Sequence, residues 1–569
     1  MRGVWTRRPD SLFSFYITIM KILFDSRDTA YLSPNTPQPV GTAIRAEIRI
    51  PADCAAVSVQ LCSDAFTCAL SRTGSDAGYD IFCGTFSVSR AGLYFYHFAI
   101  TDKNGSYALY RAGRETNIGL GTQWQLTALP QEYHIPEAFR GAVYYQIFPD
   151  RFAQSGTCDL TEKLQPYSVQ PFGGFRPATK NATDFAGGNL RGITEKLDYI
   201  AALGTKVIYL NPIFMAHSNH RYDTADYLRI DPMLGTEQDF AELCRRAHEL
   251  GLKIVLDGVF SHTGSHSIYF DSENHFGGGA VSRGPASKYY KWYKFTDFPK
   301  KYECWWGIEV LPCVNENDPD YLDFITGPNG VVQKWLRLGA DGFRLDVADE
   351  LPDSFIAALR RRVKSIRPDA VVIGEVWEDA SNKVSYNEQR KYFSGGELDG
   401  VINYPFRKAV IDFCSAKDDG TQLREIAETL AENYPQAALD CTMSVLGTHD
   451  TERIGTVLPD TIARKCAVFL QFTLPGSPVI YYGDEAGLTG GKDPMNRMPY
   501  PWGHENRELI ELYTETARLK NRYSALRTGS IRFLRADGGV VQFIRENAEQ
   551  SVLCTADRNT GLCTVSEIT

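Results

Sequence analysis

A (β/α)8 barrel carrying an inserted domain, preceded by a β-sandwich and followed by a short β domain, is the fold class this sequence predicts. Three observations carry the prediction. Residues 20–125 alternate in the two-residue rhythm of strands. From residue 141 to about 525, apolar strands alternate with amphipathic helices. Eight strands can be counted in that second stretch.

The first part reads as "AIRAEIRI", "AAVSVQLC", "YDIFCGTFSV" and "GLYFYHFAI", broken by turn signals such as "TDKNGS". Alternation and β-branched and aromatic enrichment suit a sandwich over residues 20–128. A proline-containing connector, "LTALPQEYHIPEAFRG", leads out of it. The barrel is expected over 140–525, its strands being "VYYQIFPD", "KVIYLNPIF", "KIVLDGVF", "GFRLDV", "AVVIGEVW", "DGVINY", "MSVLGTHD" and "PVIYYGDE". Between them lie helical patterns such as "ITEKLDYIAALG", "EQDFAELCRRAHELG", "SFIAALRRRVKSI" and "TIARKCAVFLQFTL". Strand–helix alternation requires a parallel sheet, and eight units close it. A long Gly-, Pro- and aromatic-rich stretch after the third strand, about 262–330, predicts an inserted domain. Residues 528–569 supply at least two more strands, a short C-terminal β domain. Residues 1–19 combine basic residues with a short apolar run but lack a small-residue cleavage site. They are expected to be a non-native or disordered extension ahead of Met20.

Composition narrows the function. A net charge of -9 disfavours a nucleic-acid partner, because phosphate binding needs basic surface. No apolar run approaches the ~20 residues of a membrane span. Thirteen scattered cysteines, an odd number without a Cys-x-x-Cys pair, suit reduced thiols in a cytoplasmic protein. Aromatics at 12% suit strand-rich cores first and sugar stacking second. His262 and His266 stand four apart, but in a loop and without a His-Glu pair, so no metal site is expected. The sequon "NAT" at 181–183 is expected to go unused.

The carboxylates point to chemistry. In a barrel, reactive groups sit at the C-terminal ends of strands, and Asp257, Asp346, Glu375 and Asp450 each close or follow an apolar strand core. Arg344 and Asp346 lie two apart and share a face, so the arginine is expected to lower the aspartate's pKa and keep it ionised. Glu375, after "AVVIG" and before Trp377, is expected in an apolar setting that keeps it protonated. An ionised and a protonated acid facing each other suit glycosidic bond cleavage, with Asp450 beside His449 to steady the transition state. One such Asp alone is better read as a cap or a loop salt bridge.

The motifs "DGVFSH" (257–262), "GFRLDVADE" (342–350), "GEVW" (374–377) and "GTHD" (447–450), in this order, make the chain resemble the α-amylase family of retaining glycoside hydrolases, family 13. The resemblance covers roughly residues 141–525. It implies Asp346 as nucleophile, Glu375 as acid/base and Asp450 as transition-state stabiliser. It places Arg344, His262 and His449 against the sugar at the cleavage point and Tyr222 beneath it as a platform, with Asp257 and Trp377 also in the substrate site. "SNHRYDTADYLRIDPMLGT", "LPCVNEND" and "YYGDEAGLTGGKDPMNRMPYPW" resemble the neopullulanase, cyclomaltodextrinase and maltogenic amylase subgroup, where Asp493 and Arg497 match a sugar-binding pair. The resemblance thus implies cleavage of α-1,4-glucosidic bonds of maltodextrins, cyclodextrins or pullulan, a starch-binding-like N-terminal domain and a possible homodimer. No cofactor is expected. Ser261 stands where the family's first motif carries a calcium-ligating Asn, and "AQSGTCDLTEK" after "DRF" offers only Asp159, so a calcium requirement is not expected either. Glu378 stands where close relatives often carry His. The rival readings are an α-glucan transglycosylase, an α-1,6-debranching enzyme and, more distantly, a non-catalytic carbohydrate-binding barrel.

Overall fold

The computed structural model describes residues 21–177 and 182–568, so the N-terminal extension and the Asn of the sequon lie outside the described residues. Two compact units emerge, each described by itself: the first comprises 21–35, 41–89 and 94–126, and the second comprises 36–40, 90–93 and the chain from Thr127 onward.

In the first unit, antiparallel strands Ile44–Pro51, Ser58–Ser63, Thr67–Asp76, Tyr79–Phe86, Gly92–Asp102 and Gly105–Ala112 pair out of chain order: Ile44–Pro51 lies against Tyr79–Phe86, and Ser58–Ser63 lies between Thr67–Asp76 and Gly92–Asp102. The strand Thr67–Asp76 turns a corner. Its first half pairs with Ser58–Ser63, its second half with Tyr79–Phe86, and the register shifts between Arg72 and Gly74. Such an irregularity lets one strand serve two layers. Phe24, Phe98 and Trp124 fill the space edge to face, with centroids 4.7 and 5.0 Å from Phe24. The strand Thr67–Asp76 escapes the sequence reading because Gly, Ser and Arg dilute its alternation.

In the second unit eight parallel strands close a barrel: β1 Tyr144–Ile147, β2 Val207–Leu210, β3 Lys253–Gly258, β4 Gly342–Leu345, β5 Val371–Val376, β6 Gly400–Asn403, β7 Met443–Val445 and β8 Ser477–Tyr481. Seven fall inside a segment expected from the sequence, and β8 starts one residue ahead of its own. All are buried on both faces, as strands wrapped by helices must be. The register sets Asp257 beside Arg344, which brings the polar residues of β3 and β4 together at the same end. The pattern "ITEKLDYIAALG" forms two short helices, α1 Leu190–Glu195 and α2 Leu197–Ala202, broken at Lys196. The helix α3 Glu237–Glu249 begins with a reciprocal cap in which Thr236 accepts from the Asp239 amide and Asp239 from the Thr236 amide. Gly188 is obligatory where the loop after β1 folds back. A Cβ there would sit 2.3 Å from the carbonyl oxygen of Pro149.

Between β3 and β4 the chain forms a small irregular layer with a hairpin, Phe295–Asp297 with Lys301–Tyr302, before returning through helices Pro319–Thr326 and Val331–Leu338. Its aromatics make its core: Tyr269, Trp292, Tyr321 and Phe324 pack at 5.0–5.5 Å centroid distances. After the barrel, strands Ser530–Asp537, Val540–Glu546, Ser551–Asp557 and Leu562–Glu567 form a four-stranded antiparallel meander, where the sequence predicts at least two strands. Among the described residues, no helix is long and apolar enough to cross a membrane. None of the thirteen cysteines is disulfide-bonded.

Candidate active site

One buried guanidinium organises the C-terminal mouth of the barrel. Arg344 is fully buried on β4, and its Nη1 donates to Asp257 Oδ1 at 2.7 Å and to Asp346 Oδ1 at 2.8 Å. Its Nη2 donates to Glu375 Oε2 at 2.6 Å. Three carboxylates from three adjacent strand ends therefore share one cation.

Glu375 corrects an expectation. Its setting is polar: Oε2 also accepts from the Val347 amide at 2.9 Å, and Oε1 accepts from Trp377 Nε1 at 3.0 Å. Trp377 lies flat on Tyr404, with centroids 3.8 Å apart. Val347 holds a left-handed backbone, φ 37°, which a β-branched residue adopts only under constraint from its surroundings. That conformation turns its amide toward Glu375.

Asp346 corrects another. Burial pushes its carboxyl well above the usual range, and neighbouring Glu375, Asp257 and Asp450 add to this against Arg344. The sequence reading counted one arginine for one aspartate, whereas Arg344 is divided among three. Asp257 is likewise raised by burial, against Arg344. Asp450 is pushed up to about 7 by burial and by Glu375, against Arg497 and Arg344. The balance is physical: four acids face two arginines, and both nearby histidines are neutral. Burial pushes His262 down to about 4 and, with Arg497 and Arg344, holds His449 well below its ordinary value. A buried cluster so short of positive charge keeps a proton among its carboxyls near neutral pH.

The remaining side chains fix orientation. Gln146 Nε2 donates to His449 Nδ1 at 2.9 Å, which makes Nδ1 an acceptor and leaves the proton on Nε2. That Nε2 meets Asp450 Oδ2 at 3.1 Å and the Tyr222 hydroxyl at 2.5 Å. Tyr222 in turn donates to Asp257 Oδ2 at 2.8 Å, and its ring lies parallel to His449. His262 stands between Ser261 Oγ at 3.0 Å and the Tyr222 carbonyl at 3.1 Å. Arg497 Nη2 lies 3.5 Å from Asp450, and its Nη1 lies 3.3 Å from the more exposed Asp493. All eleven residues singled out in the sequence thus belong to one contiguous set. Gln146, Tyr209, which donates to Asp257 Oδ2 at 2.7 Å, Tyr404 and Val347 were missed. The first two lie on β1 and β2 in apolar runs where nothing distinguishes an inward polar group from core. Of the adjacent tryptophans, Trp305 faces the His262 ring at 5.7 Å, while Trp306 is 78% exposed with Nε1 donating to Glu350.

The family model "Alpha amylase, catalytic domain" matches residues 146–525. The chain belongs to the α-amylase family. This member is 36% identical over 527 residues to an amylopullulanase of Thermoanaerobacter thermohydrosulfuricus, covering 79% of this chain and 35% of the relative. Against Neopullulanase 2 of Thermoactinomyces vulgaris it is 33% identical, covering 84% of this chain and 80% of the relative. A solved cyclomaltodextrinase superposes with a TM-score of 0.70 at 27% identity, covering 94% of this chain and 91% of the other. The chain spans only 27–41% of the length of the amylopullulanases it matches.

Proposed function

We propose that this α-amylase family member is a retaining glycoside hydrolase that cleaves α-1,4-glucosidic bonds of maltodextrins, cyclodextrins or pullulan. The observation that carries the reading is the single guanidinium bridging Asp346 and Glu375. It sets both carboxyl groups against one cation, the close pairing that direct attack on the anomeric carbon needs. With the proton that the cluster holds placed on Glu375 and Asp346 ionised, Asp346 attacks the anomeric carbon while Glu375 gives that proton to the leaving oxygen. Water then opens the glycosyl-enzyme with Glu375 as base. Arg344 follows the charge from one carboxylate to the other through both steps. Asp450 lies on the open side, where a carboxylate steadies the positive sugar ring, and His449, itself fixed by Tyr222, holds it there.

Asp346→Asn tests this. It is expected to lower maltotriose turnover by about a thousandfold or more while oligosaccharide binding persists; near-normal turnover would sink the assignment. A product profile on pullulan, cyclodextrin and maltotriose separates the enzyme readings. Panose from pullulan marks neopullulanase action, longer maltodextrins mark transglycosylation, and maltotriose from pullulan marks debranching.

The wider reading has a starch-binding-like N-terminal unit, a homodimer and a cytoplasmic chain, the last supported by thirteen unpaired thiols. No cofactor enters the reaction. The residues at the expected calcium positions do not fit that ion. The Ser261 hydroxyl is engaged with His262 Nδ1, and the Asp159 carboxylate accepts the Thr161 amide within its own turn.

A further inference from the structure

The loop that leaves β3 carries His262 into the catalytic mouth and then turns. Four residues on, His266 points elsewhere and meets Glu273 and His275. His275 Nε2 lies 2.9 Å from Glu273 Oε2, His266 Nδ1 lies 3.7 Å from the same oxygen, and the three ligand atoms all fall within 4.8 Å of one another. They are the one such group of three among the described residues.

Two further observations mark the cluster as built. The turn bearing Glu273 and His275 is stapled by Asp271, 1% exposed, whose carboxylate accepts from the Phe276 and Gly277 amides at 3.1 and 2.8 Å and from Ser282 Oγ at 2.6 Å. Asp271 and Asn274 both hold left-handed backbone, φ 57° and 58°, so the turn has a fixed shape. On the other side His217, from the loop after β2, stacks on His266 at 5.1 Å with its Nδ1 buried and without a hydrogen-bond partner. A buried imidazole nitrogen left unmet is costly unless something supplies the missing contact.

We propose that His266, Glu273 and His275 are the ligands of a divalent transition-metal site, with zinc as the ion of matching chemistry. Two imidazoles and one carboxylate are a borderline-soft donor set that suits zinc and poorly suits calcium, which takes six to eight oxygens. Bonds of about 2.0–2.1 Å in a tetrahedron put ligand atoms about 3.3–3.4 Å apart, so the trio closes on the ion with movements of about 1 Å by partly exposed side chains. Water fills the fourth position and donates to His217 Nδ1, giving that nitrogen its missing contact. The ion thereby ties the loop after β3, which holds His262, to the loop after β2, which holds Tyr222. Its role is to fasten the rim of the cleft; it takes no part in the reaction.

The test uses the full chain, stripped with EDTA and dialysed into chelator-free buffer. Zinc chloride is titrated calorimetrically and by the thermal unfolding midpoint, with cobalt(II) absorption as a readout of tetrahedral coordination. Because thirteen free thiols also attract zinc, the deciding quantity is the difference between wild type and the variants Glu273→Gln and His275→Gln, whose sites are exposed enough to leave folding intact. The expected result is one tight equivalent that raises the midpoint and yields cobalt ligand-field bands, weakened at least about tenfold in both variants. Calcium chloride should not reproduce it. Equal zinc binding by wild type and both variants, or no saturable binding to wild type at millimolar zinc, overturns the proposal.

Discussion

Replacing Asp450 by Asn should stabilise the fold at alkaline pH while removing activity, and the pH dependence of the gain follows from the site. Asp450 is raised from 3.8 to about 7 by burial and by Glu375. A raised carboxyl favours the folded state only while protonated. Its contribution is fully present below pH ~4 and is lost as pH rises through about 7. Three units at 1.36 kcal/mol each would be about 4 kcal/mol. The side chain is 30% exposed and its proton is shared with Asp346 and Asp257, so solvent screening cuts this to about 1–2 kcal/mol. Asparagine keeps the shape without the charge. The unfolding midpoint of D450N should therefore coincide with that of wild type within about 0.5 °C near pH 4.5 and exceed it by about 1–2 °C at pH 8. Scanning calorimetry of both proteins at several pH values measures this directly. A difference that does not change with pH, or a less stable variant at pH 8, would refute the account of a cluster starved of positive charge.

Other consequences are equally concrete. Lys163→Met removes the ammonium held 2.7 Å from Asp231, both side chains fully buried, and should cost about 3 kcal/mol, because Arg221 at 3.4 Å compensates only in part. Burial raises the Asp231 carboxyl, but Lys163 and Arg221 outweigh it and leave the pKa lowered, so the penalty measured by denaturation should shrink as pH falls below ~4. Tyr222→Phe loses the hydroxyl shared by Asp257, Asn211 and His449, and kcat/KM on maltotriose should fall by about 10–100-fold with little change in stability; an unaltered rate would remove Tyr222 from the working set. Gly188→Ala forces a Cβ into the Pro149 carbonyl and should lower the melting temperature markedly, as thermal unfolding would reveal.

The barrel was legible because parallel strands buried on both faces leave uninterrupted apolar runs, and all eight stand out. The carboxylates were legible for the complementary reason: an acid at the end of such a run has no packing role. Sharing was invisible. Nothing in "GFRLDV" tells that Arg344 also reaches Asp257 and Glu375, because that depends on the register between β3, β4 and β5. The pair His262 and His266 shows the same limit. Spacing four apart in a loop gave no reason to expect a metal, and the chain does turn between them, sending one into the cleft and the other to Glu273 and His275, seven and nine residues further on. The third strand of the N-terminal unit was lost where exposed faces blur the alternation.

Val347 shows what relief of strain would give up. A glycine there would adopt φ 37° without strain, at the cost of more freedom in the unfolded chain. That same freedom would let the amide swing away from Glu375. The chain keeps a residue ill suited to its own backbone, and the awkward fit makes this short turn a rigid bracket for the carboxyl group behind it.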